Sequence, residues 1–266
     1  MSAWWQQLPL ARRSGAVLLV LILVAALLAP SLAPDAVSQD LERVLLAPSL
    51  EQPLGTDHLG RNMLARLTHA LQLSFSLALL SVISAAIIGI SLGLLAAWRG
   101  GVIEAVLTSI ADAVMTLPVL LVVLLFSAFA QGEFWSLYIG LSFALWVEYF
   151  RVSRATIKAT LVSAPVESAR MLGFGNFYLL RRHLLPELAP VVGTLMLFGI
   201  STAILALAAL GFVGVGLRPP TPELGVMMIE LFPYYEEAPW LIASPVVTLG
   251  LIMLALALLG GRKEMP

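Results

Sequence analysis

With 266 residues, 60% of them hydrophobic, only 12% charged and a mean hydropathy of +0.96, the chain carries about half the charge of an ordinary soluble domain. It therefore reads as a protein whose main solvent is lipid. A net charge of −1 excludes a global field that would gather nucleic acid or anionic substrates, and the absence of cysteine excludes disulfides, thiolate metal sites and cysteine nucleophiles.

Six apolar segments occur in chain order, at roughly 15–33, 73–98, 111–130, 134–150, 188–211 and 240–260. Hydrocarbon offers no partner to an unpaired peptide group, so each is predicted to be a helix. No ten-residue alternating strands of the kind a barrel needs are visible. The first segment, preceded by Arg12 and Arg13, resembles a signal peptide, and small residues near Ala29 to Ala33 form a weak cleavage signal. Its apolar run is long enough to span, which favours a retained anchor. The predicted organisation is an N-terminal anchor helix plus outer segment over 1–71 and a helical core over 72–266 with a cytoplasmic loop at 151–187. Small residues in the spans (Ser74, Ser76, Ser81, Ser84 and Gly89; Gly193, Ser201 and Ala203) read as tight helix packing before a polar pore lining.

Charge sets the orientation. With the N-terminus in the cytoplasm, six spans place Arg12, Arg13, Arg99, Arg151, Arg154, Lys158, Arg170, Arg181, Arg182, Arg262 and Lys263 inside, and only Arg43, Arg61, Arg66 and Arg218 outside. Five spans would move one terminal basic pair to the wrong side. The fourth segment is the weakest, with Glu148 and Arg151 near its end and Trp135, Tyr138 and Trp146 suited to the interface.

The loop 151–187 is too long for a tight hairpin and carries helix signals. Pro165 suits a first turn, Glu167 complements the helix dipole there, and Gly173 is a helix stop. Asn176 suits the cap of a second helix, and Pro186 is expected to break or kink the chain beyond it. Val166, Ala169, Leu172 and Phe174 form an apolar face. Two readings stand on physics alone: a helix lying on the bilayer with Arg170, Arg181 and Arg182 on headgroups, or a docking element for a soluble partner. On the outer side, the stretch from about Gly211 to Pro239 combines Glu223, Glu230, Glu236 and Glu237 with Tyr234 and Tyr235. It reads either as a contact for a delivery protein or part of an outer gate, or as a solvated loop.

The run Glu167-Ser168-Ala169, Gly173 and Leu185-Pro186 resembles the EAA loop of ABC importer permeases, with Ser168 in place of the middle alanine. Arg182-His183-Leu184-Leu185-Pro186 is similar to the form in the dipeptide, oligopeptide and nickel branch of that superfamily. Three further stretches resemble that branch in order. Leu54-Gly55-Thr56-Asp57-His58-Leu59-Gly60-Arg61 precedes the second span, with Asn62 where aspartate is usual. Gly100-Gly101, Asp112 and Pro118 come after that span, with Glu104 and Ser109 departing from the pattern. Phe212 to Gly216 and Pro219 to Gly225 precede the last span, with Leu224 where tryptophan is usual. The tail Leu258 to Arg262 resembles a shortened ending, so the likeness covers roughly 50–262.

The resemblance implies an all-α type I importer permease fold with about six transmembrane helices and both termini cytoplasmic. It implies a permease subunit forming half of the pathway for peptides or for nickel and metal chelates in a bacterial inner membrane. A second permease, in a heterodimer, two ATPase subunits and a periplasmic or surface solute-binding protein would be its partners. ATP and Mg would bind on the ATPase subunits and no cofactor on this chain. Glu167, Ser168, Ala169, Arg170, Leu172, Gly173, Leu185 and Pro186 would carry the coupling to the ATPases.

No Gly-x-x-x-x-Gly-Lys-Ser/Thr surrounds Lys158 or Lys263, the only lysines, so energy must come from another chain or an ion gradient. His58, His69 and His183 lack the i, i+4 pairing of a helical metal site, and no catalytic motif is present. An ion-driven secondary transporter is the alternative; it would place charges deep in its spans, whereas Asp112 and Glu148 read as lying near span ends. An intramembrane enzyme is disfavoured. The short chain and the His58 segment lean towards nickel-like members.

Overall fold

The computed structural model describes residues 9–32, 35–129 and 132–261. The regular elements among the described residues are helices, joined by irregular segments such as 35–62 and 213–223, with one isolated antiparallel bridge between Thr56 and Asn62. In chain order the helices are α1 (Leu10–Leu32), α2 (Met63–Arg99), α3 (Gly101–Met115), α4 (Val119–Phe129), α5 (Phe134–Leu161), α6 (Ala164–Met171), α7 (Asn176–Leu179), α8 (Leu185–Phe212), α9 (Leu224–Leu231) and α10 (Pro239–Gly260).

Within α1, Leu10–Leu28 is long and apolar enough to cross a membrane, as are α2, α10 and the continuous rod from Asn176 to Phe212. The segment expected at 111–130 is not a straight span. It is two helices, α3 and α4, bent by 85° at a break between Met115 and Val119, and they reach membrane length only together, giving up to five spans by this measure. Pro118 explains the break: it cannot donate to a helix running through it and biases Leu117 out of the α region. The segment expected at 134–150 is the first part of a longer helix. α5 continues to Leu161 and carries Glu148, Arg151, Arg154 and Lys158, so it is long enough to span but not apolar enough to count with the others. Six spans are recovered only if both the bent pair and α5 are included.

Tight packing explains part of the small-residue pattern. α2 and α5 form the most extensive helix pair. A Cβ added to Gly89 of α2 would lie 2.5 Å from the Trp146 carbonyl oxygen on α5, so the two backbones touch there. Ser74, Ser81 and Ala203 are buried, but Ser76 is exposed and Gly193 faces open space. The Tyr149 hydroxyl donates to the Leu195 carbonyl at 3.3 Å and ties α5 to α8. α3 stands apart: Ala111 is its only buried residue.

Side-chain bonds fix which ends of the helices lie together. The Arg12 guanidinium donates to the Gly261 carbonyl at 2.6 and 3.0 Å, so the start of α1 meets the end of α10. The Gln72 amide donates to the Ala26 carbonyl at 2.6 Å, joining the far half of α1 to the start of α2. Arg154 and Lys158 donate to Glu104 at 2.5 and 2.7 Å, joining the end of α5 to the start of α3. Trp98, near the end of α2, packs against Val166 and Leu179. One end of the bundle therefore gathers residues 9–15, 98–104, 154–184 and 261. The other gathers 35–62 and 213–238.

Candidate functional site: a helical turn at one end and a buried ion network at the other

The segment 162–175 begins where α5 stops. The Ser163 carbonyl accepts the amides of Val166 and Glu167, each at 3.0 Å, and Pro165 occupies the first turn of α6, where a missing N–H costs nothing. Glu167 also lies in that turn, near the positive end of the helix dipole. At the other end the Gly173 amide donates to the Arg170 carbonyl at 3.0 Å and the Phe174 amide to the Ala169 carbonyl at 3.1 Å. This is a Schellman stop. Gly173 has φ +81°, a left-handed conformation that residues with a Cβ rarely adopt. The sequence placed this stop correctly.

The expected apolar face divides in two. Val166, Ala169 and Leu179 are buried as a small cluster against Trp98 and anchor the turn to α2. Met171, Leu172 and Phe177 point away, 81%, 76% and 74% exposed, while Phe174 and Tyr178 stack with ring centroids 4.2 Å apart. Glu167, Ser168 and Arg170 are exposed beside them. Leu185 and Pro186 are also exposed, but lie further on, at the start of α8.

Two expectations fail here. Asn176 does not cap a helix: it is the first helical residue, after Gly175, and no side chain caps that start. Pro186 does not break the chain. The helix passes through a π-helical turn, Leu180–Leu184, in which the Leu185 amide donates to the Leu180 carbonyl five residues back. That wider turn absorbs the proline, and one helix runs from α7 into α8. The loop predicted at 151–187 is thus mostly helix.

The opposite end holds a feature the sequence reading missed. Asp57, Arg61 and Arg66, each at most 1% exposed, converge with Glu230. Arg61 Nε donates to Asp57 Oδ2 at 2.6 Å, and Arg66 Nη1 donates to the same oxygen. Arg66 Nη2 donates to Glu230 Oε2 at 2.5 Å, and Arg61 Nη2 reaches that oxygen at 3.3 Å. Two cations and two anions cancel, which is how charges are tolerated out of water. Asp57 Oδ1 accepts the Leu59 and Arg61 amides at 2.8 and 2.9 Å and thereby folds the preceding turn. Burial works to raise the Asp57 carboxyl, but the Arg61 amide and the Arg66 guanidinium outweigh it and hold it below its usual value. Asn62 caps α2, its side-chain oxygen accepting the Ala65 amide at 3.0 Å. Aspartate would do the same, so this departure from the branch pattern is functionally silent at the cap.

The acidic-aromatic stretch 211–239 is accordingly not one solvated loop. Glu230 belongs to the network, and Glu223 is buried as the cap of α9, its Oε2 accepting the Gly225 and Val226 amides at 2.8 and 3.0 Å. Burial pushes the Glu223 carboxyl up to about 7, against the pull of those amides. Tyr234 stacks on His58 with centroids 5.1 Å apart, so the histidine is engaged in packing, and burial lowers its pKa. Tyr235, Glu236 and Glu237 alone remain exposed among the six. A lone acid in the apolar run Val226 to Leu231 was the available signal that Glu230 has a buried partner.

Of Asp112 and Glu148, expected near span ends, only Asp112 sits close to a helix end. Glu148 lies in the middle of α5, and Asp112 lies just before the α3–α4 break. The position of Glu148 removes the argument against an ion-driven carrier; family membership decides instead.

Residues 89–262 match the family described as "Binding-protein-dependent transport system inner membrane component". The chain is similar to the dipeptide transport system permease protein DppC of Haemophilus influenzae, 31% identical over 252 residues, covering 92% of this chain and 84% of that one. It is also similar to the di/tripeptide transport system permease protein DppC of Pseudomonas aeruginosa, 35% identical over 254 residues with 92% and 84% covered. The matched span takes in the turn at 162–175, the bent α3–α4 pair and the α7–α8 rod, while the longer alignments also include the Asp57 segment. The chain is a multi-pass membrane protein of the binding-protein-dependent transport inner-membrane component family, an ABC importer permease of the peptide branch with the type I fold, and a transport subunit rather than an enzyme.

Proposed function

We propose that this chain forms half of the translocation pathway of a bacterial inner-membrane importer for short peptides. Separate ATPase subunits supply the energy at the end that holds α6. The observation that carries this reading is the exposed patch Met171, Leu172 and Phe177 on a turn anchored from behind by Val166, Leu179 and Trp98. Three large apolar side chains held outward on a braced element, beside exposed Glu167 and Arg170, suit a cleft on a soluble protein. A helix resting on lipid needs no such bracing.

In this reading ATP and Mg bind on the partners, and closure of two ATPases moves α6 and the α7–α8 rod as one body. α3, uncovered by the rest of the chain, faces a second, different permease subunit. A solute-binding protein meets the end that holds Tyr235, Glu236 and Glu237. Peptide cargo is preferred over nickel or metal chelates because both of these relatives are named for peptides. The test is uptake of labelled di- and tripeptides and of nickel by a deletion strain with and without the gene restored. Restored peptide uptake that requires ATP supports the reading. Restored nickel uptake without peptide uptake moves the cargo assignment to the metal side, and uptake that follows an ion gradient without ATP removes the reading altogether.

A further inference from the structure

The geometry points to Glu148 as the group in this half of the pathway that receives the cationic end of the cargo. The inference rests on the peptide reading above and adds a site to it.

Glu148 lies about 21 Å along α5 from Phe134 at 1.5 Å per residue, between buried Val147 and Tyr149, yet its own side chain is exposed. It makes no hydrogen bond or ion pair among the described residues. A carboxylate this far from both ends of a helix packed along the spanning α2 is costly against hydrocarbon, so it calls for water or a cation in front of it. None of the nearby cations pairs with Glu148, although Arg151 is held at the same cavity, on the neutral sulfur of its wall residue Met115. Arg151, one turn further on, donates to the Met115 sulfur at 2.7 Å, and Arg154 and Lys158 are committed to Glu104 at 2.5 and 2.7 Å.

A cavity of about 250 Å³ opens in front of Glu148, and the bend between α3 and α4 creates it. Val114, Met115 and Leu117 line it from the break, Leu145 and Glu148 from α5, and Thr202 from α8. Glu148 is the only ionisable group in the lining, and the Thr202 hydroxyl is the only other polar side chain. At about 30 Å³ per water the space holds roughly eight waters, or one amino-acid-sized group. An apolar wall with one anion and one hydroxyl suits a small organic cation carried on an apolar body. The free ammonium of a peptide N-terminus, followed by its first side chain, has that chemistry.

The chain contains no cysteine, so Glu148→Cys gives it a single thiol. The assembled transporter, with its permease partner, ATPases and solute-binding protein in proteoliposomes, is treated with 2-aminoethyl methanethiosulfonate, and adduct formation is read from the mass of this chain. The thiol is expected to react from the aqueous phase and to do so several-fold more slowly when a saturating dipeptide is being transported. In parallel, Glu148→Gln is expected to lower dipeptide uptake on the order of tenfold, the loss of one charge-assisted contact. Assembly and melting temperature should stay as in the wild type, and Glu148→Asp should restore most of the uptake. An unreactive thiol, a reaction rate indifferent to peptide, or wild-type uptake by Glu148→Gln overturns the assignment of Glu148 while leaving the peptide reading intact. A wild-type assembly that imports no dipeptide overturns the peptide reading, and the cargo assignment at Glu148 falls with it.

Discussion

Asp57 does two jobs with its two oxygens: Oδ1 folds the turn through backbone amides and Oδ2 faces two guanidiniums. Asp57→Asn keeps the shape and the acceptor for the turn but leaves Arg61 and Arg66 with one anion between them. Breaking a buried pair from one side costs about 3–5 kcal/mol, and the variant is expected to melt earlier in purified form. Asp57→Asn combined with Arg66→Met should lose less than the sum of the two single changes, because the second removes the charge the first strands. Additive losses would show that the two residues are not coupled. Glu223 supplies a pH signature with the opposite sign to Asp57. Its folded pKa is raised from 4.5 to about 7, so the fold disfavours the charged form. The contribution of this residue to stability declines as pH rises from 4.5 towards 7, and the penalty is complete above that range. Glu223→Gln keeps an acceptor for the cap and has no such decline. Its melting temperature should gain on the wild type across that window, whereas a difference flat in pH would show that the carboxyl is not shifted. Asp57 and His58 also titrate, Asp57 stabilising above its ordinary value and His58 when neutral, but they are common to both proteins and cancel in the comparison.

At the scale of the element, the turn that ends α6 depends on Gly173 at positive φ, with nothing within 4 Å of where a Cβ would sit. Gly173→Asp therefore meets no clash; it adds strain of about 1 kcal/mol and a charge beside the exposed Leu172. The expected result is an inserted, abundant protein that no longer transports and no longer copurifies with its ATPases. A turn resting on lipid would respond mildly, by about 1 kcal/mol of headgroup attraction. Normal transport with ATPases attached would remove the docking assignment. That stop was legible in the sequence because a Schellman turn is local, and Pro165, Glu167 and Gly173 sit within one short stretch. The extent of α5 was not, because Arg151, Arg154 and Lys158 mark where a helix leaves lipid, not where it ends. Pro186 misled for a related reason: a proline forbids an ordinary α turn, and the sequence does not show that a π turn will take its place. The ion network was hidden for another. Arg66 and Glu230 are 164 residues apart, and single-chain periodicity carries no information about such pairs.

Across the whole molecule, the described basic residues expected inside fall at or near one end: Arg12, Arg13, Arg99, Arg154, Lys158, Arg170, Arg181 and Arg182 lie with the turn, Arg151 one helical turn short of Arg154, and the start of α1 bonds to the end of α10 there, while Arg262 and Lys263 lie outside the described residues. Both termini are expected in the cytoplasm. Fusions at Pro266 check this: a bright fluorescent reporter and an inactive phosphatase agree with it, and the reverse pair excludes it. The rod that begins at Asn176 has a mechanical consequence. Its 37 residues span about 55 Å at 1.5 Å per residue, from the turn at one end to Phe212 at the other, where α9 packs against it and carries Glu230. A rod of that length amplifies small angles: pivoting one end by about 5° sweeps the other through about 5 Å, more than the 2.5 Å that joins Glu230 to Arg66. A rotation too small to unpack any helix at the fulcrum is thus enough to part or close a pair of charges on the far side of the bundle.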